Sequence, residues 1–141
     1  MSDEAFSFNL AETVVKWVDV GIFVLNKNFE VQLWNNFMAH HSGRPTEDIV
    51  GKNLFDAFPE LPKPWFTKKV NTVFLLNNFA FIPSDNRPYL FRFAHNRPIT
   101  GGVEHMYQNC MLLPVKDGHG KTEAVVVMLL DATDVAITQG M

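Results

Sequence analysis

The sequence predicts an α+β domain, an antiparallel sheet with helices gathered on one side. Three observations predict it. Apolar residues recur at helical spacing near the start and middle of the chain. They alternate or run on at strand spacing after each helical block, and turn residues separate the blocks. The resulting order is one helix, two strands, several helices and then three strands, with no repeat or internal boundary. With 141 residues, 47% of them hydrophobic, the chain suffices for one domain around one core.

Asn9 and Glu12 have capping-box spacing, and Leu10, Val14, Trp17 and Val18 share one face, so the first element is a short amphipathic helix stopped at Gly21. Ile22–Leu25 is a strand. Across the turn Asn26-Lys27-Asn28, Phe29, Val31 and Leu33 alternate with Glu30, Gln32 and Trp34, which completes a half-buried hairpin. Asn35 or Asn36 caps a brief helix through His41, broken at Ser42-Gly43-Arg44-Pro45. Thr46 caps a turn over Glu47, Asp48 and Ile49 that Gly51 ends, and Leu54 to Phe58 is a further turn stopped by Pro59. Pro64 suits the first turn of a longer helix, Trp65 to Leu76, whose apolar stripe is Phe66, Val70, Val73 and Phe74. Phe79–Ile82 is apolar and Pro83-Ser84-Asp85-Asn86 is a turn cluster. Tyr89–Ala94, Val103–Val115 and Thr122–Leu130 read as strands, the last two joined by a tight turn at Lys116-Asp117-Gly118. Asp131-Ala132-Thr133-Asp134 closes the domain.

Composition removes several function classes. The net charge is −3 with both signs interspersed, so no basic stripe faces a nucleic acid, and Lys68-Lys69 is a solvated helix face. Apolar runs are too short for membrane insertion, and Ser2, Asp3 and Glu4 are the wrong flank for a signal peptide. The single cysteine, Cys110, excludes an internal disulfide and paired-cysteine metal sites and fits a reducing, cytoplasmic location. Thirteen phenylalanines must fill a thick core or the wall of a pocket.

The order of elements resembles the PAS family, and three strings carry the resemblance. Ser42-Gly43 followed by Glu47-Asp48-Ile49-Val50-Gly51-Lys52 is similar to the family's G-x-s-x-e-e-l-i-G-k stretch. Pro114-Val115 with Asp117 and Gly120 is similar to the turn between its last two strands, and Asp131-Ala132-Thr133-Asp134 to the end of its final strand. The resemblance implies a PAS-like fold, in which a five-stranded antiparallel sheet carries several helices on one face and an N-terminal amphipathic helix precedes it. It divides the chain into residues 1–20, a helix for packing or homodimerisation, 21–135, the PAS domain, and 136–141, the start of a linker to a C-terminal effector. Arg87-Pro88-Tyr89-Leu90-Phe91 and Met106-Tyr107-Gln108-Asn109-Cys110 are similar to PAS domains that precede bacterial GGDEF-type diguanylate cyclases, which implies that effector. The chain itself is then a signal-input module and no enzyme.

Such a fold leaves an apolar cleft between sheet and helices, a natural small-molecule site. The expected lining is Phe66, Val70, Phe74, Phe91, Arg92, Gln108, Cys110 and Leu129. Aligned on Pro114 and Asp131, Met106, Gln108, Cys110 and Leu112 face inward, as do Val125, Val127 and Leu129. Gln108 then needs hydrogen-bond partners, which a ligand, water or the protein supplies. Facing inward, Arg92 pairs with an anionic ligand; facing outward, it is solvated.

The cofactor pattern is negative. A flavin photosensor of the light-oxygen-voltage branch needs Asn-Cys-Arg-Phe-Leu-Gln on a helix, whereas Asn109-Cys110 falls on a strand and Leu129 stands where that branch has a glutamine. Haem-binding members take an axial histidine from the long helix, which has none here; ligation through His95 or His105 would be irregular. His40 and His41 diverge on a helix, so no metal is expected. Asp117 and His119 are turn residues, and Asp56 and Glu60 show no paired-carboxylate logic. Two alternatives stand beside the ligand sensor. One is a ligand-free module for dimerisation and signal relay, and the other is a small α+β isomerase-like enzyme needing an acid/base pair in an apolar pocket.

Overall fold

The computed structural model of the chain describes residues 3–93 and 105–133. Among these residues five strands form one antiparallel sheet in the order β2-β1-β5-β4-β3. They are β1 (Gly21–Leu25), β2 (Val31–Trp34), β3 (Ala80–Ile82), β4 (Gln108–Lys116) and β5 (Thr122–Asp131). Helices α2 (Asn36–Ser42), α3 (Thr46–Ile49), α4 (Leu54–Ala57) and α5 (Lys63–Leu76) lie between β2 and β3, and α1 (Asp3–Trp17) precedes the sheet. The predicted fold class is the observed one.

Side-chain amides set the helix ends. Asn35 accepts from the Met38 amide at 3.2 Å and Asn53 accepts from the Phe55 and Asp56 amides, so each satisfies donors that its helix leaves free. Gly43 closes α2 in the left-handed region at φ 71°, where a side chain would be strained. Asn77 closes α5 in the same region at φ 53°, and its Oδ1 accepts from the Thr122 amide and hydroxyl, which ties the end of α5 to the start of β5. Asp117 accepts from the His119 and Lys121 amides and so closes the β4–β5 turn.

The core lies between the inner face of the sheet and α4–α5. Phe23, Leu25, Leu112, Val125, Val127 and Leu129 meet Leu54, Phe66 and Val70 there, all without solvent exposure. The inward register predicted for Met106, Gln108, Cys110, Leu112, Val125, Val127 and Leu129 is observed, since all seven are buried.

Five expectations change, the first being Thr46, which opens α3 as its first residue and donates its hydroxyl to the Trp34 carbonyl at 2.7 Å instead of capping the turn. The first helix begins at Asp3, so Asn9 lies inside it and caps nothing. Trp34, expected on the outer face of its strand, is buried, because a bulge where Leu25 pairs with Val31 and Val24 with Leu33 shifts the alternation. The predicted strand Tyr89–Ala94 is irregular over residues 89–93, while the apolar run at 79–82 supplies the third strand as Ala80–Ile82. The long strand starts at Gln108 rather than Val103. Ala94, His95, residues 96–104 and the predicted linker at 136–141 lie outside the described residues.

Candidate functional site

The cleft between sheet and helices is occupied by the chain itself. After β3 the backbone leaves the sheet edge and drives Leu90, Phe91 and Phe93 inward, all three buried. The Phe91 ring meets Phe58 at 5.2 Å and 88°, Phe23 at 5.8 Å and 87°, and Trp34 at 6.1 Å. These edge-to-face contacts suit the quadrupoles of the rings. Phe93 stacks on Phe91 at 5.1 Å, and its other neighbour is His41 at 5.7 Å.

Gln108 holds this plug in place. It is fully buried on β4; its Oε1 accepts from the Leu90 amide at 2.9 Å and the Phe91 amide at 3.2 Å. Its Nε2 donates to the Phe91 carbonyl at 2.8 Å and approaches the Met106 sulfur at 3.8 Å. Of the partners open to Gln108 in the sequence, protein backbone takes both lone pairs and one donor. The plug needs this amide because residues 89–93 form no strand ladder, and the buried Leu90 and Phe91 N–H groups would otherwise be orphaned.

The eight expected lining residues separate into three groups. Phe66, Val70 and Leu129 are fully buried in the main core, and Phe74 packs against it partly buried. Phe91, Gln108 and Cys110 form the plug and the strand beneath it. Arg92 points outward between two inward phenylalanines, which is the solvated alternative, and its side chain lines a cavity of about 350 Å³. That cavity opens between the end of α2, the α4–α5 connection and residues 87–93. The Cys110 thiol is buried on β4, where desolvation pushes its pKa up to about 12 against a smaller opposing pull from the Arg87 guanidinium. Among the described residues no three His, Cys, Asp or Glu side chains gather as a metal site. No helix among the described residues is long and apolar enough to cross a membrane.

Three functional-looking residues lay outside the predicted lining. Arg87, in an Arg-Pro turn, places its guanidinium 4.7 Å over the Trp65 ring. Thr133, fully buried, accepts from the Tyr107 amide and donates its hydroxyl to Asp131, while the Ala132 amide donates to the Tyr107 carbonyl at 2.8 Å. Asn35 is 3% exposed; besides capping α2 it accepts from the Ile22 amide and donates to the carbonyls of Val15 and Val20. Only the capping role of Asn35 had a sequence signal. Its other partners, and those of Thr133, are set by the folded chain.

The comparisons with known proteins agree with this geometry. The family model described as PAS fold matches residues 9–71, from α1 into α5. The PAS domain of a Colwellia psychrerythraea protein superposes with a TM-score of 0.65 at 13% identity, over 91% of this chain and 98% of that one. The backbone fold is therefore shared along nearly the whole length.

The chain has the PAS fold.

Two further solved structures share it. A sensory box sensor histidine kinase from Vibrio cholerae matches with a TM-score of 0.62 and 20% identity, over 91% of this chain and 94% of that one. The photoactive yellow protein domain of the sensor histidine kinase Ppr from Rhodospirillum centenum matches at 0.59 and 14%, over 82% and 94%. No curated protein matches the sequence. Within the PAS fold of this chain, α5 is the long helix across the sheet, and the Phe91 plug belongs to the long connection between β3 and β4.

Proposed function

We propose that the chain is a PAS sensory input domain that transmits the state of its cleft through β4 and β5 to a C-terminal effector, without catalysis of its own. One observation carries this reading. The residue that pins the plug, Gln108, is next to Tyr107, and Tyr107 is bonded through both its N–H and C=O to Thr133 and Ala132, which directly follow β5. Gln108 is itself in register with Asp131. Movement of the Phe91 plug therefore acts on the last described residues of the domain through one peptide unit. A small molecule that binds the displaced and seated arrangements unequally shifts their populations.

The proposed occupant enters beside Phe91, with Phe66, Val70, Phe74, Cys110 and Leu129 as deeper wall and Arg92 at the mouth. The proposed effector is a diguanylate cyclase, on the strings Arg87–Phe91 and Met106–Cys110; the PAS folds from sensor histidine kinases support a kinase as the competing effector. Condensation of GTP versus phosphate transfer from ATP, assayed in the longer protein, separates the two. The coupling itself is tested by hydrogen exchange. Gln108→Met should speed exchange at the Phe91 amide and also at Tyr107 and Thr133. Faster exchange confined to residues 89–93 would show that the plug is not coupled to the exit.

A second reading has its own support. On α1, Phe6, Leu10, Val14 and Trp17 form an exposed apolar stripe, with exposures of 61%, 54%, 54% and 69%. A second copy of α1 covers such a stripe in a homodimer, the relay function proposed for residues 1–20. Sedimentation of the wild type and of Leu10→Glu checks it: a dimer that the substitution splits supports the relay, and a wild-type monomer at high concentration removes it.

A further inference from the structure

We propose that the cavity beside the plug is a binding site for a small organic carboxylate with an apolar or aromatic body. The inference rests on the sensory reading above and names its ligand class. The cavity measures about 350 Å³, near the lower end of the volumes that hold small ligands. Its apolar floor comes from Phe58, Phe91 and Phe93, which are already ordered by ring contacts. Among the described residues two guanidinium groups, Arg87 and Arg92, line it against a single carboxylate, Glu60. The local balance therefore favours an anion.

Arg87 carries the specificity. Its guanidinium lies over the Trp65 ring at 4.7 Å, which holds the group in place. Its Nε is buried and has no hydrogen-bond partner among the described residues. A buried guanidinium N–H without an acceptor is costly and calls for a ligand atom. Nε–H with one Nη–H is the edge that receives a carboxylate through two parallel bonds, which a lysine could not reproduce. Arg92, exposed at the mouth, adds a second positive charge that steers and then screens the same anion. Leu90 and Phe91 line the cavity too, so a bound molecule touches the segment that Gln108 holds.

The test is an NMR titration of the full chain with benzoate and phenylacetate, using benzamide as the neutral isostere. The Arg87 Nε–H and the amides of Leu90 and Phe91 are expected to shift with both acids. Benzamide, Arg87→Gln and Arg87→Lys are each expected to weaken binding about tenfold or more, and the exposed Arg92→Gln a few-fold. Benzoate and benzamide binding alike, wild-type affinity in both arginine-to-glutamine variants, or no shift with either acid at millimolar concentration would overturn the site. Shifts at the cavity with Tyr107 and Thr133 unmoved would uphold the carboxylate site while refuting the coupling to the exit.

Discussion

Replacing Gln108 by methionine removes the amide while keeping the length and most of the volume of the side chain. The Leu90 and Phe91 N–H groups each have the Gln108 Oε1 as acceptor and would be left buried without one. The Phe91 carbonyl fares better, because it also accepts from the Phe93 amide at 2.9 Å. Two orphaned donors at about 1–3 kcal/mol each set the cost at about 2–6 kcal/mol. The more favourable burial of a thioether offsets part of it, so the expected loss is about 2–4 kcal/mol. That is a large share of the roughly 7–20 kcal/mol typical of a chain this long. Urea unfolding reads the global loss, and hydrogen exchange at the Leu90 and Phe91 amides reads any local opening of the plug. A variant within about 0.5 kcal/mol of wild type, with both amides exchanging as slowly as before, would refute the pinning role of Gln108.

The other predictions concern the frame around the cleft. A Cβ at Gly21 would lie 2.8 Å from the Met38 sulfur and 3.1 Å from both Leu129 Cβ and Phe37 Cδ1, so Gly21→Ala should lower stability by about 1–3 kcal/mol in the same urea experiment. Cys110, raised from 9.0 to about 12 by burial, should resist thiol reagents in the native state at about pH 8 and react only after unfolding. Its sign follows from linkage: the unfolded thiol ionises first as pH rises, so its stabilising contribution is whole below 9.0 and is lost towards about 12. The urea midpoint of wild type should therefore fall faster over that range than that of Cys110→Val, and parallel curves would contradict it. Asn35→Asp keeps the acceptor for Ile22 and Met38 but loses the donors to Val15 and Val20. It should cost about 1–3 kcal/mol and release α1, seen as faster hydrogen exchange along that helix; unchanged protection of α1 would count against the tether.

Much of the frame was legible because local chemistry and global fold agree there. Asn35 as a cap, Gly43 and Gly51 as stops, Pro64 in the first turn of α5 and the inward alternation of β4 and β5 all act over a few residues. The plug was not legible. Leu90, Phe91 and Phe93 show the spacing of a strand, but the backbone partner of Leu90 and Phe91 is a side chain 17 or 18 positions away, which no periodicity reveals. Trp34 was misplaced for a similar reason, since one bulge reverses which side of the ribbon faces the core. At the candidate site, Gln108 and Arg92 were visible as polar residues in apolar strings. Arg87 stood in a turn cluster and gained its setting only when α5 brought Trp65 beneath it.

The pairing of Gly21 with Leu129 puts the start of β1 beside the end of β5, on adjacent strands in the middle of the sheet. Neighbouring strands are spaced about 4.8 Å apart. A unit whose ends are that close can be grafted into a surface loop of another protein without prising the loop open, as inserted domains generally require. Residues 19–133 therefore make a natural cassette for building a reporter, in which strain at the cleft would be felt across a gap narrower than a helix.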